Sequence, residues 1–160
     1  MIPETVDPTD VFGNTVFCDD IRHEIDGKIS FIGTYPGGMQ VHGSFPATVP
    51  KFAFSISLWQ RRTVFQKKIE LWIYLPEDEE EKPSVVSTLE TPDPPEPTQS
   101  ADALMFPGGP FVVMRAQIIM AGMVVKAPGV IRVRALREGK LFPIGSLPIR
   151  GAAAQQASPD

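Results

Sequence analysis

The sequence predicts an all-β protein: a two-layer antiparallel β-sandwich of about seven or eight strands, Ig-like or similar, with a small β-barrel as the alternative. Three observations carry that expectation. Pro and Gly together supply 30 of the 160 residues, against about 19 at average usage. Proline occurs in every region of the chain, and proline interrupts helices. Apolar residues recur instead with a period of two, in short stretches bounded by turn residues. Hydrophobic residues at 42% and charged residues at 21% place the chain among globular domains rather than disordered segments. Its length suits one domain.

Residues 1–13 show no period and read as an irregular arm. The domain then runs over 14–150. Thr15-Val16-Phe17-Cys18 is a short β-branched and aromatic run, the first strand. Residues 28–35 form the second, stopped by Pro36-Gly37-Gly38. Residues 51–59 alternate most cleanly, with Phe52, Phe54, Ile56 and Leu58 on one face. Residues 68–75 repeat the pattern with Ile69, Leu71, Ile73 and Leu75, leaving Glu70, Trp72 and Tyr74 opposite. The basic residues Arg61, Arg62, Lys67 and Lys68 between these two strands suit a solvated hairpin end. Residues 84–90 make a weaker strand, an edge candidate. Residues 111–125 are almost continuously apolar. Their length permits a helix, but their β-branched content and lack of a polar face favour a long strand bulged near Gly122. Pro128-Gly129 precedes a strand at 130–136, and Arg137-Glu138-Gly139-Lys140 turns it back. Residues 141–149 return as an edge strand, because Pro143 and Pro148 lack the N–H of a central one.

Charge is unevenly placed. Residues 1–75 carry seven basic and eight acidic side chains, residues 76–102 one basic and nine acidic, and residues 111–150 seven basic and one acidic. The acidic run Glu77–Glu81 and the proline-dense Thr91–Pro97 mark 76–103 as an acidic, Pro-rich loop. Residues 151–160 read as a flexible tail. No apolar stretch approaches the ~20 residues of a spanning helix, so no membrane partner is expected. The N-terminus has no secretory pattern, and the single Cys18 cannot form an internal disulfide. A reducing cytoplasm is the expected compartment.

The stretch Cys18-Asp19-Asp20-Ile21-Arg22-His23-Glu24, followed by Gly27-Lys28-Ile29-Ser30-Phe31-Ile32-Gly33-Thr34-Tyr35, resembles the opening of a family of small uncharacterised bacterial and phage proteins. Pro128-Gly129 through Gly145-Ser146-Leu147 is similar to the close of the same proteins. The resemblance covers about a third of the chain. It implies a compact β domain in a bacterial cytoplasm or a phage particle, and it carries no activity or catalytic residues.

Three function classes follow from the residues. Trp59, Trp72 and Tyr74 fall opposite the cleaner apolar faces, where they can equally fill a core or serve as anchors of a non-enzymatic interaction or assembly module. Such a module docks through a sheet face or edge strand onto another protein or a second copy. Asp19, Asp20 and Glu24, with His23 nearby, suit a Ca²⁺ or Mg²⁺ site or a metal-assisted enzyme. Against it, the spacing matches no calcium loop, and Asp19 and Asp20 can equally accept turn N–H bonds and pair with Arg22 or Lys28. Arg132 and Arg134 share a strand face that can meet phosphate. A pI near 5.2 makes nucleic acid an unlikely partner, and the same face can neutralise the acidic loop. Neither a phosphate loop nor a dinucleotide motif occurs, and no cofactor is expected. Cys18, in an apolar strand, reads as a buried, inert thiol.

Overall fold

The computed structural model describes residues 10–94 and 109–151. Ten strands run through them: β1 (Val11–Cys18), β2 (Asp20–His23), β3 (Ile29–Ile32), β4 (Met39–Val41), β5 (Ala47–Arg61), β6 (Lys68–Tyr74), β7 (Val85–Glu90), β8 (Phe111–Val125), β9 (Gly129–Arg137) and β10 (Lys140–Gly151). They form a three-stranded sheet ordered β1-β5-β8, a five-stranded sheet ordered β4-β10-β9-β6-β7, and a separate β2-β3 hairpin. Every pairing is antiparallel except β10 with β4. The all-β sandwich is therefore present.

One core lies between the two large sheets. Phe52, Phe54, Ile56 and Leu58 of β5 meet Ile69, Leu71 and Ile73 of β6 and Ile131, Val133 and Ala135 of β9 in a single buried cluster. The period-two patterns of these strands put all ten side chains on inner faces. Each large aliphatic among them contributes about 1.5–3 kcal/mol by leaving water.

Several elements differ from the sequence reading. β1 begins at Val11, so the last residues of the expected arm are strand. β5 reaches from Ala47 to Arg61, well beyond 51–59. β5 and β6 do not form a hairpin. The turn between them, with a short 3₁₀ segment at Arg62–Val64, carries the chain from one sheet to the other. Arg61 is accordingly buried rather than solvated; it pairs with Asp10 at 3.1 Å and donates to the carbonyl of Gly109 at 3.3 Å. The expected tail from 152 onward lies outside the described residues, as do 95–108 of the Pro-rich loop.

The long apolar stretch is a strand, β8, and its irregularity falls at Gly122 as expected, but without a register shift. Val49 faces Met123 and Lys51 faces Ala121 in one continuous register. Between them Pro50 stands across from Gly122, whose φ is +64°. The inner face before this point carries Phe52 and Met120. Beyond it, Val49, Met123, Ala47 and Val125 turn to the core. A missing N–H on one strand and a left-handed glycine on the other thus exchange the two faces of the ribbon.

β10 is an edge only in part. Its last residues, Ile149–Gly151, pair in parallel with β4, while the stretch holding Pro143 and Pro148 pairs with β9 alone. That open side meets β1. The Thr15 hydroxyl donates to the Ile144 carbonyl at 3.1 Å. A Cβ at Gly145 would sit 2.6 Å from Thr15 Cβ, and one at Gly13 would sit 2.7 Å from Ile144 Cγ2. Two glycines therefore let the sheets close along this seam. The β9–β10 turn places both Glu138 (φ 52°) and Gly139 (φ 73°) in the left-handed region, the two-residue geometry whose twist matches the strands.

Candidate functional site

The three aromatic residues expected to anchor one docking face do not share one. Trp59 lies on the outer face of the three-stranded sheet, while Trp72 and Tyr74 lie on the outer face of the five-stranded sheet. The core separates them. Tyr74 is 0% exposed, so it is not an open anchor. Its hydroxyl donates to the Glu80 carbonyl at 2.9 Å. Trp72 is half-buried, its indole N–H donating to Glu70 at 3.1 Å. Trp59 is also half-buried. Phe12 stacks on it at 5.8 Å, and Phe111 meets Phe12 edge-on at 5.4 Å.

Arg132 and Arg134 are engaged within the molecule. Residues two apart on β9 point the same way, and both guanidinium groups pair with the Glu80 carboxylate. Arg132 also donates to the Asp78 carbonyl at 3.0 Å. Both arginines stand over the Tyr74 ring, at 4.7 and 5.1 Å. Asp78 closes its own turn by accepting from the Leu75 and Ser84 N–H groups, each at 2.8 Å. The Arg134 hydrogen bond, then the charges of both arginines, hold the Glu80 carboxyl below the usual carboxylate range. The acidic loop thus covers the basic face, and that face is not an open phosphate surface.

The acidic cluster is dispersed rather than convergent. Asp20 pairs with Lys51 and, at 3.5 Å, with Arg22, and it accepts from the Ile21 N–H at 2.9 Å. The hydrogen bond from Lys51 is the main reason its carboxyl lies below the ordinary value. Asp19 accepts instead from the Tyr35 hydroxyl. Burial and that bond push Tyr35 up to about 12. His23 meets Gln117 across 2.7 Å. Among the described residues, no group of three or more His, Cys, Asp or Glu side chains is arranged to hold a metal ion. Asp19 and Asp20, neighbours in sequence, thus take separate partners, Tyr35 and Lys51. Cys18 is buried 3.9 Å from the Ala53 carbonyl, and burial raises its pKa.

A groove of about 580 Å³ follows the β1–β10 seam. Its walls come from Gly13, Thr15, Phe17, Gly145 and Ser146, and among the described residues Tyr35 is its single titratable side chain. A phenol held near 12 is a poor base at neutral pH. Among the described residues, no helix is long and apolar enough to cross a membrane.

The outer face of the three-stranded sheet carries a different arrangement. The β2–β3 hairpin leaves the end of β1 and crosses this face. Ile21 packs on Cys18 and Ala53, Asp20 reaches Lys51 of β5, and His23 reaches Gln117 of β8. The turn Glu24–Lys28 follows His23 and is closed by the Glu24 N–H donating to the Lys28 carbonyl at 2.8 Å. Asp26 and Gly27 take left-handed φ there. Ile25 at the tip is 86% exposed, Ile119 beside Ala53 is 52% exposed, and Ile29 and Phe31 are each partly exposed. Sequence reading missed Ile25 and Ile119. The available signal was an isoleucine between two acids in a turn, where no core position exists. Comparison of the chain with protein-family models, with curated proteins and with solved structures finds no match.

Proposed function

We propose that the protein is a non-enzymatic interaction or assembly module that docks through the outer face and free edge of its three-stranded sheet. The setting is the bacterial cytoplasm or phage particle implied by the sequence resemblance. One observation carries the reading: four large apolar side chains, Ile25, Ile29, Phe31 and Ile119, reach water around one hairpin and the strand it crosses. Scattered exposed apolar residues are ordinary, whereas a group rimmed by charge marks a contact surface. Glu24, Asp26 and Lys28 supply that rim.

The test replaces Ile25 and Ile119 together by Glu and Lys. Both side chains are exposed, so the melting temperature should stay within a few degrees of wild type. Association of the purified chain, measured by light scattering with and without the proteins that co-purify from its host, should fall. A folded double variant that associates as well as wild type overturns the reading.

A further inference from the structure

We propose that two copies of this chain pair through the free edge of β8, antiparallel about a two-fold axis at Ala116, with the acidic turn of each copy over Arg115 of the other. This rests on the docking surface above and commits its occupant to a second copy.

The edge itself is the first argument. β8 is 15 residues long, contains no proline, and carries Arg115 as its one charged side chain. Among the described residues it is hydrogen-bonded to β5 alone, with β7 of the other sheet close by but not paired to it. Natural sheets blunt such edges with Lys, Pro, bulges or short strands, because a long apolar edge recruits another strand. Within β8 before Gly122 the one such device is the charge of Arg115, with no Pro, Lys or bulge beside it.

Gly122 then sets the register. The faces of β8 exchange at this residue, so its regular part runs from Phe111 to Ala121. The midpoint of that segment is Ala116. A two-fold pairing that uses the whole segment therefore centres there, and a closed two-fold pair is the commonest oligomer. In this register Arg115 of each copy stands across from Gln117 of the other. Ile119 stands across from Val113, and Phe111 from Ala121. Residues directly opposite in an antiparallel pair share a face. The exposed Ile119 thus gains an apolar partner. Moving the axis to Gln117 or Ile118 instead sets Arg115 against Ile119 or Ala121.

Charge supplies the second, independent argument. His23 fixes the hairpin above Gln117, and the turn beyond it carries Glu24 and Asp26 against Lys28 alone. Across the new boundary, the position beside Gln117 is Arg115 of the second copy. Among the described residues, Arg115, Glu24 and Asp26 form no ion pair within the chain. The complementary contact occurs twice by symmetry.

Sedimentation velocity of the full chain over ~1–100 µM, the concentration range of moderate affinities, tests the pairing. Wild type should show a concentration-dependent dimer. Arg115→Glu should weaken it about tenfold or more, by turning two attractions into repulsions. Adding Glu24→Arg and Asp26→Arg to that variant should restore it. Hydrogen exchange should show new amide protection over residues 111–121 at high concentration. A wild-type chain that stays monomeric throughout overturns the proposal. So does a dimer indifferent to Arg115→Glu. If the chain is monomeric but still binds a different protein in a manner sensitive to Ile25 and Ile119, the self-pairing fails while the docking reading stands.

Discussion

The two outer faces of this sandwich are finished in opposite ways. On the five-stranded sheet, the residues that follow β6 fold back over it. Glu80 bridges Arg132 and Arg134, its carbonyl takes the Tyr74 hydroxyl, and a fully buried tyrosine results. On the three-stranded sheet, the covering element is a hairpin that rests on Ala53 and Cys18 and leaves Ile25 and Ile119 in water. One face has its basic residues paired from within the chain, with Val86 and Val130 still exposed beside them. The other keeps Ile25 and Ile119 in water beside charges that, among the described residues, form no ion pair.

That contrast can be broken at three places. The largest effect belongs to Tyr74→Ala on the five-stranded sheet. Removal of a large buried aromatic costs about 3–5 kcal/mol, and its loss also orphans the Glu80 carbonyl. Ile119→Ser on the open face should stay within about 0.5 kcal/mol. Urea unfolding of both variants measures the difference. If they destabilise equally, the two faces are not finished differently.

The second effect lies at the seam that joins the sheets. At Gly145 an added Cβ meets Thr15 Cβ at 2.6 Å, a backbone-anchored contact with little room to yield. Gly145→Ala should cost about 1–3 kcal/mol, the range for overpacking. Its urea midpoint should fall between those of the Tyr74 and Ile119 variants.

The smallest effect sharpens the comparison through pH. Glu80 has a folded-state pKa below its ordinary value, chiefly through the Arg134 hydrogen bond. A carboxyl shifted this way adds stability above its unfolded pKa, and the stability is lost as pH falls through the folded pKa. Glu80→Gln should therefore lower the urea midpoint slightly at neutral pH. The two curves should converge once the pH drops below the carboxylate range. Asp20, lowered chiefly by the Lys51 hydrogen bond, acts with the same sign on the hairpin side.

Local pattern made much of this fold legible. The alternation in Phe52–Leu58, Ile69–Leu75 and Ile131–Ala135 gave the strands and their inward faces, because period two is a property of neighbouring residues. The β-branched content of 111–125 decided strand over helix correctly. β2 was missed because Asp20-Ile21-Arg22-His23 offers one apolar side chain, and β4 because three residues carry no period. The reading of Pro143 and Pro148 as edge markers holds for the side of β10 they occupy, but not for Ile149–Gly151, where β4 adds itself. Parity placed Tyr74 opposite the core, as observed. It gave no sign that Glu80, six residues later, would fold back to bury it. The pairing of Arg132 and Arg134 with the acidic loop was among the weighed possibilities, and side-chain placement decided it. The dispersal of Asp19 and Asp20 depended on Lys51 and Tyr35, partners that only the fold brings near.

The strand pairings also bear on the order in which the chain can fold. In the five-stranded sheet, β9 and β10 join through Arg137 and Lys140, three positions apart. In the three-stranded sheet, the closest pair along the chain is Cys18 with Ala53, 35 positions apart, and β5 meets β8 no nearer than Arg61 with Phe111. Long closures lose more chain entropy before any contact rewards them. The five-stranded sheet can therefore start from a local hairpin, although its last pairing, Met39 with Ile149, closes the longest loop of all. During synthesis, β8 emerges long after β5, the strand it must join. The edge of β5 that β8 covers therefore stays without its partner until residues 111–125 have been made.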